Sequence, residues 1–214
     1  MTTLAEKYRP ARWEDVIGQE KIVRRIQAMM ARGPMSGRSY YIEGKSGVGK
    51  TTIARLLAAE VADPMNINEL DAGALNVTTL RQIEDDAQTY GMGGKNGRAY
   101  IVNESHGLRM DVVRQFLVTL ERIPSHVLWV FTTTKEGASK FEDGEDASPF
   151  MDRNIRLALT SQKLSDAFAA RLHDIAEAEG LNGRSLDDYK KLIQKHHNSF
   201  RAALMAIESG EMME

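Results

Sequence analysis

A chain of 214 residues is long enough to bury a real core, as one larger domain or as a domain with a small appendage. Its 28 Lys and Arg against 30 Asp and Glu leave a net charge of -2, which argues against indiscriminate coating of nucleic acid, because that affinity scales with the cations set against phosphates. The absence of cysteine excludes disulfides, thiol catalysis and thiolate zinc sites together. Five histidines remain as soft ligands; the adjacent His196 and His197 diverge by about 100° on a helix, so the histidines read as surface or helix-end groups. No apolar run approaches the ~20 residues needed to span a bilayer, and the opening MTTLAEKYRP lacks the apolar centre of a signal peptide. The expectation is a cytoplasmic chain with no membrane partner.

In chain order, the first 38 residues are basic, with Lys7, Arg9, Arg12, Lys21, Arg24, Arg25, Arg32 and Arg38 against four acids. QEKIVRRIQAMMAR then places Ile22, Val23, Ile26, Met29 and Met30 on one helical face before Gly33-Pro34 stops it. SYYIE is a strand candidate and TTIARLLAAEVA a helix. INELDA, AYIVNE, HVLWVFTTT and NIRLAL are further strand candidates, separated by the amphipathic VTTLRQIEDDAQTY and MDVVRQFLVTLERI. Such alternation predicts an α/β fold with a mainly parallel five-stranded sheet flanked by helices. FEDGEDASPF reads as an exposed acidic loop. Beyond about residue 160 only helical patterns remain, in KLSDAFAARLHDIAEAEG, SLDDYKKLIQKHH and SFRAALMAIESG. The expected division is a nucleotide-binding core over 1–160 and a three-helix unit over 161–214.

The strongest local signal is GKSGVGKT, Gly44 to Thr51, which fits the phosphate-loop pattern directly after a strand and before a helix. Its glycines let Gly44, Lys45, Ser46, Gly47, Val48 and Gly49 fold amide hydrogens inward around a polyphosphate, with Thr52 in the helix that follows. Lys50 would reach the outer phosphates and Thr51 would bind Mg²⁺. A second strand must bring a carboxylate to the metal side, and AYIVNE is the best candidate. Glu104 would polarise the attacking water, and Asn103 before it would act on Mg²⁺ through water. The threonines that end HVLWVFTTT are a third piece, where a polar side chain would hold that water beside the outer phosphate, although threonine is also simply a strand former. ATP and Mg²⁺ are therefore the expected ligands.

With these pieces in order, LAEKYRPARWEDVIGQE, GKSGVGKT, NESH, TTT and FMDRNIRLAL resemble the clamp-loader ATPase subunits of the AAA+ class, gamma/tau-like or replication-factor-C-like, across nearly the whole chain. The resemblance implies a P-loop AAA+ core followed by a helical lid. It implies that Tyr8, Arg9, Pro10, Val16 and Ile17 line the adenine site, and that Thr133 or Thr134 is the sensor, with Thr134 preferred. Arg153 would be the finger that reaches a neighbour's ATP, and Arg201 in NSFRAAL the lid arginine that touches phosphates in its own subunit. The implied function is ATP binding and hydrolysis in a ring of like or homologous subunits that opens a sliding clamp on primer-template DNA during replication. Lys95, Arg98, Arg109 and Arg114 are the candidate DNA contacts.

Departures from the family pattern shape these expectations. Asn103 stands where the family has Asp, which predicts slow turnover with a raised Mg²⁺ requirement. Asn154 replaces a Cys after Arg153, the zinc module of many bacterial relatives cannot form without cysteine, and the chain ends where the family's collar domain would begin. Two alternatives stand beside the first reading: a structural subunit that binds ATP but hydrolyses little, and another AAA+ DNA-remodelling motor.

Overall fold

The computed structural model describes residues 2–134, 137, 147–161 and 164–213; the acidic stretch FEDGED, residues 141–146, lies outside the described residues. Two compact units are formed. One comprises Arg24–Gly44 and Lys50–Ala158, the other the N-terminal residues to Val23, the short piece Lys45–Gly49 and the chain from Leu159 onward.

The first unit holds all the strands expected from the sequence: β1 (Arg38–Glu43), β2 (Ile67–Asp71), β3 (Arg98–Asn103), β4 (Val127–Thr133) and β5 (Ile155–Ala158). They form one parallel sheet in the order β2-β3-β4-β1-β5. β4 lies between β3 and β1 and is buried at every position, as an apolar run covered on both faces should be. The edge strand β2 keeps Asn68, Glu69 and Asp71 exposed, and such charges discourage pairing with another sheet.

Helices α2 (Glu20–Met30), α3 (Lys50–Val61), α4 (Val77–Asp86), α5 (Met110–Glu121) and α6 (Ala147–Asp152) accompany the strands along the chain. The start of α4 is fixed by Asn76, whose side chain accepts from the Thr79 amide at 2.9 Å. Trp129 and Phe131 alternate onto one face of β4, where Phe116 of α5 meets them edge-on at ring-centroid distances of 5.2 and 5.1 Å. Tyr100 of β3 stacks on Trp129 at 4.7 Å. This aromatic cluster holds β3, β4 and α5 together.

The second unit contains α1 (Leu4–Lys7) and the helices α7 (Ser165–Ala178), α8 (Leu186–Lys195) and α9 (Phe200–Glu208). Leu172, Ile175, Tyr189, Ile193, Leu204 and Ile207 make its core, and Leu4 from the other end of the chain is buried among them. Tyr8 and Ile17 pack against the same core. Glu179, following α7, accepts from Lys7 Nζ at 2.7 Å and from the Tyr8 hydroxyl. The Arg171 guanidinium lies over the Tyr8 ring, 5.9 Å from its centre. Hydrogen bonds from Lys7 and then Tyr8 hold the Glu179 carboxyl below its ordinary range.

Candidate functional site

Because every strand of the sheet runs the same way, the C-terminal ends of β1, β3 and β4 share one edge, where open α/β sheets place their ligands. Glu43 at the end of β1 is level with Thr133, and Val102 of β3 is level with Phe131. One residue on, the Asn103 carboxamide oxygen accepts from the Thr132 hydroxyl at 3.0 Å. The Gly44 amide donates to the Thr133 carbonyl at 3.3 Å, which ties the start of the phosphate loop to β4. Lys50 opens α3, is buried, and donates from Nζ to the Gly44 carbonyl at 3.0 Å. Half-buried Thr51 and Thr52 follow in the same turn. The fold thus gathers Gly44, Lys50, Thr51, Thr52, Asn103, Glu104 and the threonines 132–134 at a single edge.

Glu104 has left-handed backbone angles, φ 52° and ψ 47°, which a side chain bearing a Cβ adopts at a cost. That bend turns the chain out of β3 into a short 3₁₀ turn, Ser105–Gly107, and leaves the carboxylate half exposed. His106 Nδ1 lies 3.5 Å from Glu104 Oε2 and 3.0 Å from Thr133 Oγ1. His106 is exposed, as the sequence led one to expect of the histidines, and it also bridges the carboxylate and the strand beside it. Of the two sensor candidates, Thr133 is fully buried and engaged with His106. Thr134 is half-buried, and its hydroxyl accepts from the Gly137 amide at 3.0 Å.

Arg153 sits at the other edge of this sheet. It precedes β5, whose Ile155 is level with Tyr40 near the start of β1, and its carbonyl accepts from Ser39 Oγ at 2.8 Å. Its guanidinium donates to the Pro149 carbonyl at 2.7 Å and to Glu121, and among the described residues its Nε–H has no acceptor. A side chain placed there is remote from its own chain's Gly44. The four candidate DNA contacts are likewise divided. Lys95 and Arg98 lie near the start of β3, engaged with the Ala59 and Thr89 carbonyls, whereas Arg109 and Arg114 lie at and beyond the start of α5, with Arg109 paired to Asp111 at 2.9 Å. A six-residue strand spans roughly 20 Å, so the four do not make one patch.

In the second unit, the loop tip Lys45–Gly49 carries Gly47 at φ +77° and Gly49 at φ +106°. A Cβ on Gly49 would meet nothing within 4 Å, so the backbone there is open to a ligand, whereas one on Gly47 would fall 2.1 Å from Ser199 Oγ. The Phe200 amide at the start of α9 donates to the Gly47 carbonyl at 3.3 Å, which sets the backbone of Arg201 one residue from a contact with the tip. Arg201 is exposed and lines an open groove with Glu6, Met205 and Glu208. A cation in the first turn of a helix opposes the helix dipole, so its placement is not explained by helix stability. Tyr8, Pro10, Val16 and Ile17 are half-buried, as residues lining an apolar base would be, and Arg9 is paired with Glu6.

These residues fit a polyphosphate: glycines in left-handed conformations, a lysine at the helix start and a hydroxyl beside it. For Mg²⁺ the fit is partial. Thr51 and Asn103 offer neutral oxygens, and no group of three or more metal-ligating side chains occurs among the described residues. A bound Mg²⁺ would depend on phosphate oxygens and water for most of its shell.

The five-stranded parallel sheet in the order β2-β3-β4-β1-β5, with helices along it, is the P-loop AAA+ fold. The sequence resemblance to clamp-loader AAA+ subunits stands with it: over 218 residues the chain is 26% identical to the DNA polymerase III subunit gamma/tau of Mycoplasma pneumoniae, covering 86% of this chain and 32% of that protein. It is 27% identical over 208 residues to the replication factor C small subunit of Halobacterium salinarum, covering 95% of this chain and 61% of that one. The chain therefore spans about a third of the first relative and under two thirds of the second. The Thermotoga maritima RuvB Holliday junction branch migration motor superposes with a TM-score of 0.69 at 19% identity, over 94% of this chain and 64% of that one, a likeness of fold. No protein-family model matches the sequence.

Proposed function

We propose that this chain is an ATP-binding and hydrolysing subunit of a clamp-loader-like ring, acting with like or homologous subunits on a sliding clamp and primer-template DNA in the cytoplasm. The observation that carries the reading is the meeting, at one sheet edge, of Gly44, Lys50 and Thr51 with Asn103, Glu104 and the Thr132–Thr134 strand end. The names of the similar proteins, a DNA polymerase III gamma/tau subunit and a replication factor C small subunit, support the setting. In this reading residues 1–160 serve as nucleotide-binding core and 161–214 as lid.

The roles follow from position. Loop amides and Lys50 hold the outer phosphates, and Tyr8, Arg9, Pro10, Val16 and Ile17 receive the base. Mg²⁺, when bound by Thr51 and through water by Asn103, supplies charge neutralisation at the phosphates. Glu104 orients the attacking water and takes its proton, with Thr134 on the far side of that water. Arg201 contacts phosphate in its own subunit. Arg153, remote from its own loop, serves the ATP of a neighbour. Lys50→Ala should weaken a fluorescent ATP analogue by at least tenfold, about 1.4 kcal/mol. Equal affinity would remove the nucleotide site, and with it the rest of the reading. A pull-down with a sliding clamp tests the setting and separates this reading from a different AAA+ DNA-remodelling motor.

A second reading is favoured by one contact. The Asn103 oxygen is held by the Thr132 hydroxyl and no carboxylate stands at that position, as suits a subunit that holds ATP, hydrolyses little and supplies Arg153 to an active neighbour. Turnover measured with clamp, partners and primed DNA present decides between them.

A further inference from the structure

An amide lining that converges on an anion must turn its carbonyls outward, and outward carbonyls need donors. In the phosphate-loop tip, two successive carbonyls find them. Gly47 O accepts from the Phe200 amide at 3.3 Å, and Val48 O accepts from the Gln19 side-chain amide at 3.4 Å. Gln19 is 2% exposed, and its remaining polar capacity is also spent on backbone. Its Nε2 donates to the Thr160 carbonyl at 2.8 Å, and its Oε1 accepts from the Thr160 amide at 3.1 Å. A two-way grip of this kind fixes the carboxamide plane, so the donor directed at Val48 has little freedom to turn away. The preceding Gly18, at φ +76°, lets the chain come close enough: a Cβ there would lie 2.6 Å from Leu164 Cδ2.

We propose that Gln19 is a positioning residue for phosphate binding, which presets the loop tip by holding the Val48 carbonyl outward while gripping Thr160, and so links loop occupancy to the segment that enters the lid helices. The inference rests on the nucleotide-site reading and deepens it. Gln19 touches no phosphate; it acts through the loop backbone.

Two variants and one wild-type measurement test it. Gln19→Leu removes all three bonds, whereas Gln19→Glu keeps an acceptor for the Thr160 amide but sets carboxylate oxygen against two carbonyls. Both should weaken a fluorescent ATP analogue by about tenfold, the scale of one buried hydrogen bond. The loss should be larger for ATP than for AMP, a split that general loosening would not produce. ATP affinity at the wild-type level in either folded variant overturns the proposal, as does an equal loss for ATP and AMP. If neither variant folds, hydrogen exchange on the wild-type chain decides. Adding ATP and Mg²⁺ should slow exchange at residues 44–51 together with the amides of Thr160 and Phe200. Protection of the loop without Thr160 and Phe200 overturns the coupling alone. No binding and no protection in wild type would instead remove the nucleotide site itself.

Discussion

At the scale of single residues, Asn103 is the position where charge and geometry part company. Its oxygen can accept from a metal-bound water, as an Asp would, but it brings no negative charge and is already engaged by Thr132. Glu104 keeps its carboxylate half exposed beside that edge. Asn103→Asp is therefore expected to lower the Mg²⁺ concentration for half-maximal turnover, while Glu104→Gln should abolish turnover and spare ATP binding; a turnover assay over a Mg²⁺ series reads both. Away from the site, Glu179 binds the N-terminal segment through Lys7 and Tyr8, which hold its carboxyl low. A carboxyl depressed on folding adds stability that is present above its ordinary value, near 4.5, and is lost as pH falls through the folded value. Glu179→Gln should lower the melting temperature at pH 7, and the gap to wild type should close as the pH is taken below 4.5.

At the scale of elements, the sheet was legible because strands buried on both faces read as apolar runs, and SYYIE, AYIVNE and HVLWVFTTT all appear as β1, β3 and β4 within a residue or two. Their order was not legible, since an apolar run reports that a strand is covered and not which neighbour lies beside it; the insertion of β4 between β3 and β1 is what brings Thr132 to Asn103. Gly44 to Thr51 could be read because its spacing follows from its chemistry. Gln19 and His106 could not, because their partners, Thr160 and Thr133, are distant in sequence and carry no spacing rule. Caps were only partly readable. Asn76 does hold α4 through Thr79, so Asn76→Ala should cost about 1 kcal/mol, measurable as a lower urea midpoint with an unchanged slope.

At the scale of the whole molecule, the position of Arg153 on the edge remote from its own phosphate loop makes catalysis a property of an assembly in the proposed reading. Arg153→Ala should leave ATP affinity near wild type and reduce turnover by ~10³ or more. Mixing it with Glu104→Gln should restore part of the activity, because each variant supplies what the other lacks; no rescue together with a monomeric mass would count against the ring. The burial of Leu4 among α7, α8 and α9 bears on a different event, the emergence of the chain from the ribosome. Nearly everything the sheet needs lies between Arg24 and Ala158 and can pack as it appears. Leu4 and Tyr8 precede α7, α8 and α9 in the chain and have no core to enter until those helices follow. Docking of that earlier segment therefore closes the second unit's core only after α7, α8 and α9 have formed.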